Sequence, residues 1–370
     1  MHDQDHSPPS GQVSLTHWLP TSALGGIETA ALTLIRQARD IRHVIATGDA
    51  SGPAALLWRE AGAEVVQVDG WDGLLGVAWA RRWKAFVRAR QVRRLIAWSP
   101  TRLPLVLSPL AAEGRCVVHL GNVGGLSRRA RWQGRAMGML YRPACRPTLI
   151  ACSQAVAASV EAEPAFAGLP LVVIPNAVRP EFFFLGEARP KSPSAPKVWG
   201  MLARLDGLKD HRSLIESVRL LPPEMEFRLE LIGEGVLGET LRRQVAAAGL
   251  EQRVRFLGAL AQPEEAMRRW EAFVFATTGA EGFGIAAAEA MAAGLPCVFS
   301  DVAALREVAG DHAYYAHQGS PSSLCAKMLE VIRDPAAAAA MAEEGRRRAR
   351  SLYSAEGFTR RYLQALGMTP

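Results

Sequence analysis

The chain has 370 residues, of which 49% are hydrophobic and 21% charged, with 33 Gly and 23 Pro. That length suits two domains of ordinary size, and the composition excludes a disordered or fibrous protein. The net charge of +7 is unevenly spread: residues 1–197 carry 23 Lys and Arg against 14 Asp and Glu, and residues 198–370 carry 20 against 22, a distribution that excludes a chain-wide nucleic-acid binder.

Residues 1–11 (MHDQDHSPPSG) are polar and lack an apolar core, so we expect a disordered tail and not a signal peptide. No run of about 18 apolar residues follows, so no membrane-spanning helix is expected. The five cysteines, Cys116, Cys145, Cys152, Cys297 and Cys325, are scattered with no C-x-x-C pair. They fit a reducing compartment and neither a disulfide frame nor a zinc site. We expect a cytoplasmic protein whose membrane contact, where it has one, is peripheral and on the inner face.

The first half alternates apolar runs with stretches of helical period. The runs are Val13–Leu19, His43–Thr47, Glu64–Val68, Arg94–Trp98, Cys116–Leu120, Thr148–Cys152 and Leu171–Ile174. Near-continuous apolar strands between helices predict a parallel sheet covered on both faces. After the first run, Gly25 and Gly26 permit close approach of the backbone to a ligand, or simply a tight strand-to-helix turn. Two basic stretches follow. Trp79–Arg94 includes Arg81, Arg82, Lys84 and Arg88 with Trp79, Trp83 and Phe86 interleaved, and Ser127–Tyr141 includes Arg128, Arg129 and Arg131. Between them, His119 ends the run RCVVHL. A lone histidine there is a ligand contact or a hydrogen-bonded core residue. Ser153 and Asn176 stand just past the next two runs. Residues 183–197, with three prolines and two serines, predict a linker.

The alternation restarts at Trp199 and continues through Arg228–Ile232, Val254–Leu257, Phe273–Ala276, Pro296–Ser300 and His312–Tyr315. We therefore expect two Rossmann-like, doubly wound α/β domains facing a central cleft, with ligands at the carboxyl ends of the strands. The expected boundaries are 12–182, 198–352 and a closing helix, 353–370, packed back on the first domain. After the first strand of the second domain, GMLARLDGLKDH places Arg204 and Lys209 on a loop. Arg offers a fork and Lys a point charge to phosphate oxygens, and a solvated basic pair is the bland alternative. Gly233–Gly238 reads GEGVLG, a literal G-x-G-x-x-G with Gly233 and Gly235. It lacks the acidic residue at the end of the next strand that dinucleotide binding requires. A nucleotide-pocket loop and a plain tight turn stay open there.

The most informative segment is EGFGIAAAE, Glu281 to Glu289. It follows the strand EAFVFATT and opens a helix. Amides at that helix start suit an anionic diphosphate, and two flanking carboxylates suit sugar and ribose hydroxyls. This segment resembles the E-x7-E signature of retaining glycosyltransferases of the GT-B fold, family 4 type (glycosyl transferases group 1). The Arg204–Lys209 loop is similar to that family's G-R-L-x-x-x-K, with Ala203 where the family has Gly.

The resemblance implies a nucleotide-diphosphate sugar donor, UDP- or GDP-linked, in the second domain. It gives Glu281 contacts to the donor sugar and Glu289 contacts to the ribose. Phe283, Gly284 and Ile285 would offer amides to the phosphate, and Arg204 and Lys209 would hold the leaving diphosphate. It also implies roles for Gly25, Gly26, Gly233 and Gly235 around the donor and for His119 near the sugar. Asn176 is followed by Ala177 where the family has Gly, so Asn176 is read as structural. The one D-x-D, Asp3 to Asp5, lies in the tail, so neither a metal nor any other cofactor is expected.

The basic stretches sit in the half that the resemblance makes the acceptor domain. They read as basic amphipathic helices for an anionic membrane surface, or as ordinary helices with aromatics on the sheet and arginines in water. No nucleic-acid motif accompanies them. The expected activity is retaining sugar transfer to a lipid-linked or cell-envelope glycan. A nucleotide-sugar epimerase or hydrolase of the same fold and an inactive binding protein are the alternatives.

Overall fold

A computed structural model describes residues 13–23, 25–68, 77–100, 103–122, 144–187 and 197–368. They form two compact units. The first takes the described residues up to Cys152, then 156–174 and those from Ala355 on. The second takes 153–155 and 175–354. The tail 1–11, Arg128, Arg129, Arg131 and most of the linker 183–197 lie outside the described residues.

The first unit has seven parallel strands: β1 (Ser14–Leu19), β2 (Arg42–Thr47), β3 (Glu64–Gln67), β4 (Arg94–Ala97), β5 (Arg115–Leu120), β6 (Thr148–Ala151) and β7 (Leu171–Val173), in the order β3-β2-β1-β4-β5-β6-β7. The order reverses between β1 and β4, which makes that pair the topological switch point. Buried central strands explain the near-continuous apolar runs. Helix Ala355–Ala365 belongs to this unit and packs on helix Gly26–Gln37.

The sheet buries a directional chain of polar side chains. Trp98 Nε1 donates to His17 Nδ1 at 3.1 Å. His17 must then carry its proton on Nε2, which lies 2.9 Å from His43 Nδ1. His43 in turn donates from Nε2 to the Ala38 carbonyl at 2.9 Å. Both rings are neutral in this arrangement, and burial holds both well away from protonation, with lowered pKa values.

Helix Val77–Ala89 takes the second of its two readings, with the aromatics on the core. Trp79 and Trp83 are buried and pack on Trp18, with ring centroids 5.0 and 5.6 Å away. The apolar face of this helix is therefore spent on the core and not left for a lipid surface. Arg81, Arg82, Lys84 and Arg88 remain exposed. Any attraction to a membrane from this helix is one of charge alone.

The second unit has six parallel strands: β8 (Lys197–Leu202), β9 (Phe227–Ile232), β10 (Val254–Gly258), β11 (Ala272–Phe275), β12 (Cys297–Ser300) and β13 (Tyr314–Ala316), in the order β10-β9-β8-β11-β12-β13. Its switch point lies between β8 and β11. The unit takes in the chain from Pro175, whereas the expected first domain ran to 182 and the second was expected to start at 198. The reason is local: Val178 N–H donates to the Tyr353 carbonyl at 2.8 Å, and Arg346 donates to the Phe183 carbonyl at 3.1 Å. No helix among the described residues is long and apolar enough to cross a membrane.

Candidate functional site

The loops that follow β8 and β11 meet at the switch point of the second sheet. Lys209 and Thr277 form an antiparallel bridge. Asp210 N–H donates to the Ala276 carbonyl and Thr278 N–H to the Leu208 carbonyl, each at 3.0 Å. This lacing brings together two residues 72 positions apart: the Lys209 ammonium is ion-paired with the Glu281 carboxylate. Their side chains are only 13% and 11% exposed. The Thr277 hydroxyl lies 3.3 Å from Glu281 Oε2. Lys209 Nζ also stands 4.6 Å from the centre of the Phe275 ring. Arg204, on the same loop, is different. Its side chain is 69% exposed and pairs with Asp206 at 2.9 Å.

The segment after β11 turns into helix Ile285–Ala292 through Gly284, whose φ is +85°. That left-handed backbone favours glycine, and a Cβ there would stand 2.6 Å from the end of the Leu305 side chain. Ala287 and Ala288 N–H both donate to the Gly284 carbonyl. Among the described residues nothing accepts from the N–H groups of Phe283, Gly284 and Ile285. These are the orphan donors of a helix start, carrying the positive end of its dipole. Two contacts hold the turn. Ser153 Oγ donates to the Gly282 carbonyl at 2.6 Å, and the buried Phe283 ring meets Tyr353 edge-on at 5.3 Å.

Glu289 has no part in the Lys209 pair. It is buried, 3% exposed, and its Oε1 accepts from Arg179 Nε at 2.7 Å. Burial raises its pKa, and the Arg179 charge works against that rise. Arg179 carries no motif and was invisible in the sequence.

Gly233 and Gly235 line a loop contact. A Cβ on Gly233 would sit 2.0 Å from the Ala203 carbonyl oxygen, and one on Gly235 2.4 Å from that of Leu205. Leu205 N–H donates to the Glu234 carbonyl, and Leu237 N–H to the Leu205 carbonyl, each at 2.9 Å. The G-x-G pair is thus what lets the Arg204 loop lie against its neighbour. Beside Lys209, His211 is buried, and burial followed by the Lys209 charge pushes its pKa down to about 4.

In the first unit, His119 ends β5 and is fully buried. Its Nδ1 lies 2.7 Å from the Tyr362 hydroxyl on the closing helix, and burial lowers its pKa to about 4. Neutral imidazole is therefore its state at neutral pH. Gly25 precedes helix Gly26–Gln37 and accepts on its carbonyl from the Thr29 hydroxyl at 2.8 Å. Asn176 is buried, and its Oδ1 has no partner among the described residues. Among the described residues no three His, Cys, Asp or Glu side chains gather as a metal set.

Taken together, the second unit offers a paired ammonium, an exposed guanidinium and, among the described residues, unpaired helix amides around one switch point. That set can neutralise a multiply charged anion, with carboxylates beside it to accept hydroxyl protons. Residues 186–348 match the family described as "Glycosyl transferases group 1". A phosphatidyl-myo-inositol mannosyltransferase of Mycobacterium leprae is 34% identical over 139 residues, covering 36% of this chain and 34% of the relative. An O-antigen chain mannosyltransferase B of Escherichia coli is 31% identical over 140 residues, 36% of each chain. The chain thus spans about a third of the length of the curated relatives it matches. A Rickettsia africae glycosyltransferase structure superposes with a TM-score of 0.80 at 13% identity, over 96% of this chain and 97% of that one. The Anabaena protein HepE, solved with UDP and glucose, gives 0.79 at 22% identity, over 96% and 100%. Those two structures share the fold.

Proposed function

We propose that this chain, whose residues 186–348 match the family described as "Glycosyl transferases group 1", moves a sugar from a nucleotide-diphosphate donor, UDP- or GDP-linked, to a glycan or lipid-linked acceptor. The second unit binds the donor, and the first unit serves the acceptor. Phe283, Gly284 and Ile285 N–H groups and Lys209 take the diphosphate, and Arg204 closes on it from the loop edge. Glu281 accepts from sugar hydroxyls and Glu289 from the ribose. His119, in the first unit, is buried and stays a neutral hydrogen-bonding group.

The transfer retains configuration. The bond from the anomeric carbon to the diphosphate oxygen breaks, the acceptor oxygen bonds to the same face, and its proton passes to the leaving phosphate. No metal takes part, because fixed cations and amides stabilise the developing charge. The acceptor is a cell-envelope glycan or its lipid-linked precursor. In keeping with that, relatives include an enzyme named for phosphatidyl-myo-inositol and one named for O-antigen.

The observation that carries this reading is the Lys209–Glu281 pair, with Glu281 on the same turn as helix-start amides that, among the described residues, donate to nothing. The test is nucleotide release from a panel of UDP-, GDP- and ADP-sugars, with and without membrane lipid, in excess EDTA. Acceptor-dependent release of UDP or GDP is expected. Release of free sugar without an acceptor would favour a hydrolase or epimerase. No release from folded protein would leave only a binding role. Arg204→Ala and Lys209→Ala should each lower turnover with the fold intact.

A further inference from the structure

Helix Ile285–Ala292 reads IAAAEAMA, so Glu289 is its one ionisable residue. From residue 287 to 292 every side chain is buried. A carboxylate in such a place is costly unless it is partnered. The partner is Arg179, which reaches it from a segment 110 positions earlier in the chain.

The form of this pair is informative. Arg–carboxylate pairs are frequently bidentate, with two parallel bonds that use both oxygens. Here Arg179 gives one bond, from Nε to Oε1 at 2.7 Å, and Oε2 accepts none among the described residues. The guanidinium is held in turn by the Phe182 ring, with its carbon 4.6 Å from the ring centre. One oxygen is anchored and the other is left to accept.

We propose that Arg179 is a positioning residue for nucleotide recognition: it fixes the Glu289 carboxylate through Oε1 so that Oε2 accepts from the vicinal hydroxyls of the donor's ribose. This rests on the reading of the second unit as the donor site. A diol recognised by a carboxylate needs an ionised, oriented acceptor, and a rotating or protonated one loses the bond. The local charges make Arg179 necessary. Burial raises the pKa of Glu289, and Glu181 and Glu264 raise it further, while Arg179 opposes them. Those same two glutamates also act on Arg179 and keep it charged.

Calorimetric titration with UDP, GDP and ADP, and with their 2′-deoxy forms, tests this on wild type, Arg179→Met and Arg179→Lys. Wild type should bind the ribo form of its nucleotide about tenfold tighter than the deoxy form, the ratio of one hydrogen bond to a charged group. Arg179→Met should bring that ratio near one with deoxy affinity unchanged, and unchanged deoxy affinity also reports an intact fold. Arg179→Lys should restore part of the ratio. In Arg179→Met, ribo affinity should also fall at a higher pH than in wild type. Equal weakening of both forms by Arg179→Met, or an unchanged ratio, would overturn the assignment and leave the donor site standing. Failure of every nucleoside diphosphate to bind wild type would overturn the donor-site reading and this assignment with it.

Discussion

Lys209 and Glu281 hold each other across two loops of the second sheet, largely out of water. A phosphate arriving at Lys209 must compete with that carboxylate, and a sugar arriving at Glu281 must compete with that ammonium. A donor carrying both groups satisfies both residues at once.

This relationship gives opposite effects for two substitutions. Lys209→Met should lower turnover by about 10²–10³, the loss typical of one preorganised donor at a developing charge. Glu281→Gln should also lower turnover, yet bind free nucleoside diphosphate more tightly, because the carboxylate no longer competes for Lys209. Equilibrium titration with nucleoside diphosphate checks this, and weaker binding by Glu281→Gln would refute the competition.

Gly233 has φ +138°, and a Cβ would meet the Ala203 carbonyl at 2.0 Å. Gly233→Ala should destabilise the second unit by about 1–3 kcal/mol from backbone strain alone, and push the Arg204 loop out of place. Gly207→Ala is the control on that loop, since a Cβ there meets nothing within 4 Å. Urea midpoints of the two variants should differ clearly. Equal midpoints would mean that the loop contact is not fixed by Gly233.

Four buried histidines make the protein sensitive to acid. His119 and His211 have pKa values near 4, lowered by burial, and His17 and His43 are lowered as well. The unfolded chain, with histidine near 6.5, binds more protons below that pH, so stability is full above about 6.5 and falls as pH drops toward 4. For a histidine at about 4, the loss by pH 5 is roughly 2 kcal/mol. Protonating His17 or His43 also sets donor against donor in the Trp98–His17–His43 chain. Urea midpoints at pH 7 and pH 5 should differ strongly, and coincident midpoints would show that these rings titrate normally.

The charge on helix Val77–Ala89 is testable by itself. Each cation near an anionic surface is worth about 1 kcal/mol, so replacing Arg81, Arg82 and Arg88 together should weaken binding to phosphatidylserine vesicles roughly a hundredfold at low salt. The effect should vanish at high salt, because Trp79 and Trp83 are buried and add no insertion. Unchanged binding would assign these arginines to solvation alone.

Much of this protein was legible from local pattern. Apolar runs gave both parallel sheets, since strands covered on two faces must be apolar along their length. The E-x7-E segment located the strand, turn and helix that carry Glu281 and Glu289. The same logic left two features undetermined. Trp79 and Trp83 read equally well as a membrane face, because an amphipathic period says which side is apolar and not what covers it. The boundary near 182 followed proline and serine content, whereas Val178, Arg179 and Phe183 bind the second unit through partners more than 100 residues away.

The sequence by itself determined the element types, the two-domain plan and the candidate residues, because these depend on periodicity and on neighbours within a few positions. Only the tertiary structure decided the pairings: Lys209 with Glu281, Arg179 with Glu289, His119 with Tyr362. The physical reason is that such pairs form between loops and helices brought together by strand order, and strand order is set by the packing of whole sheets. No local signal encodes it.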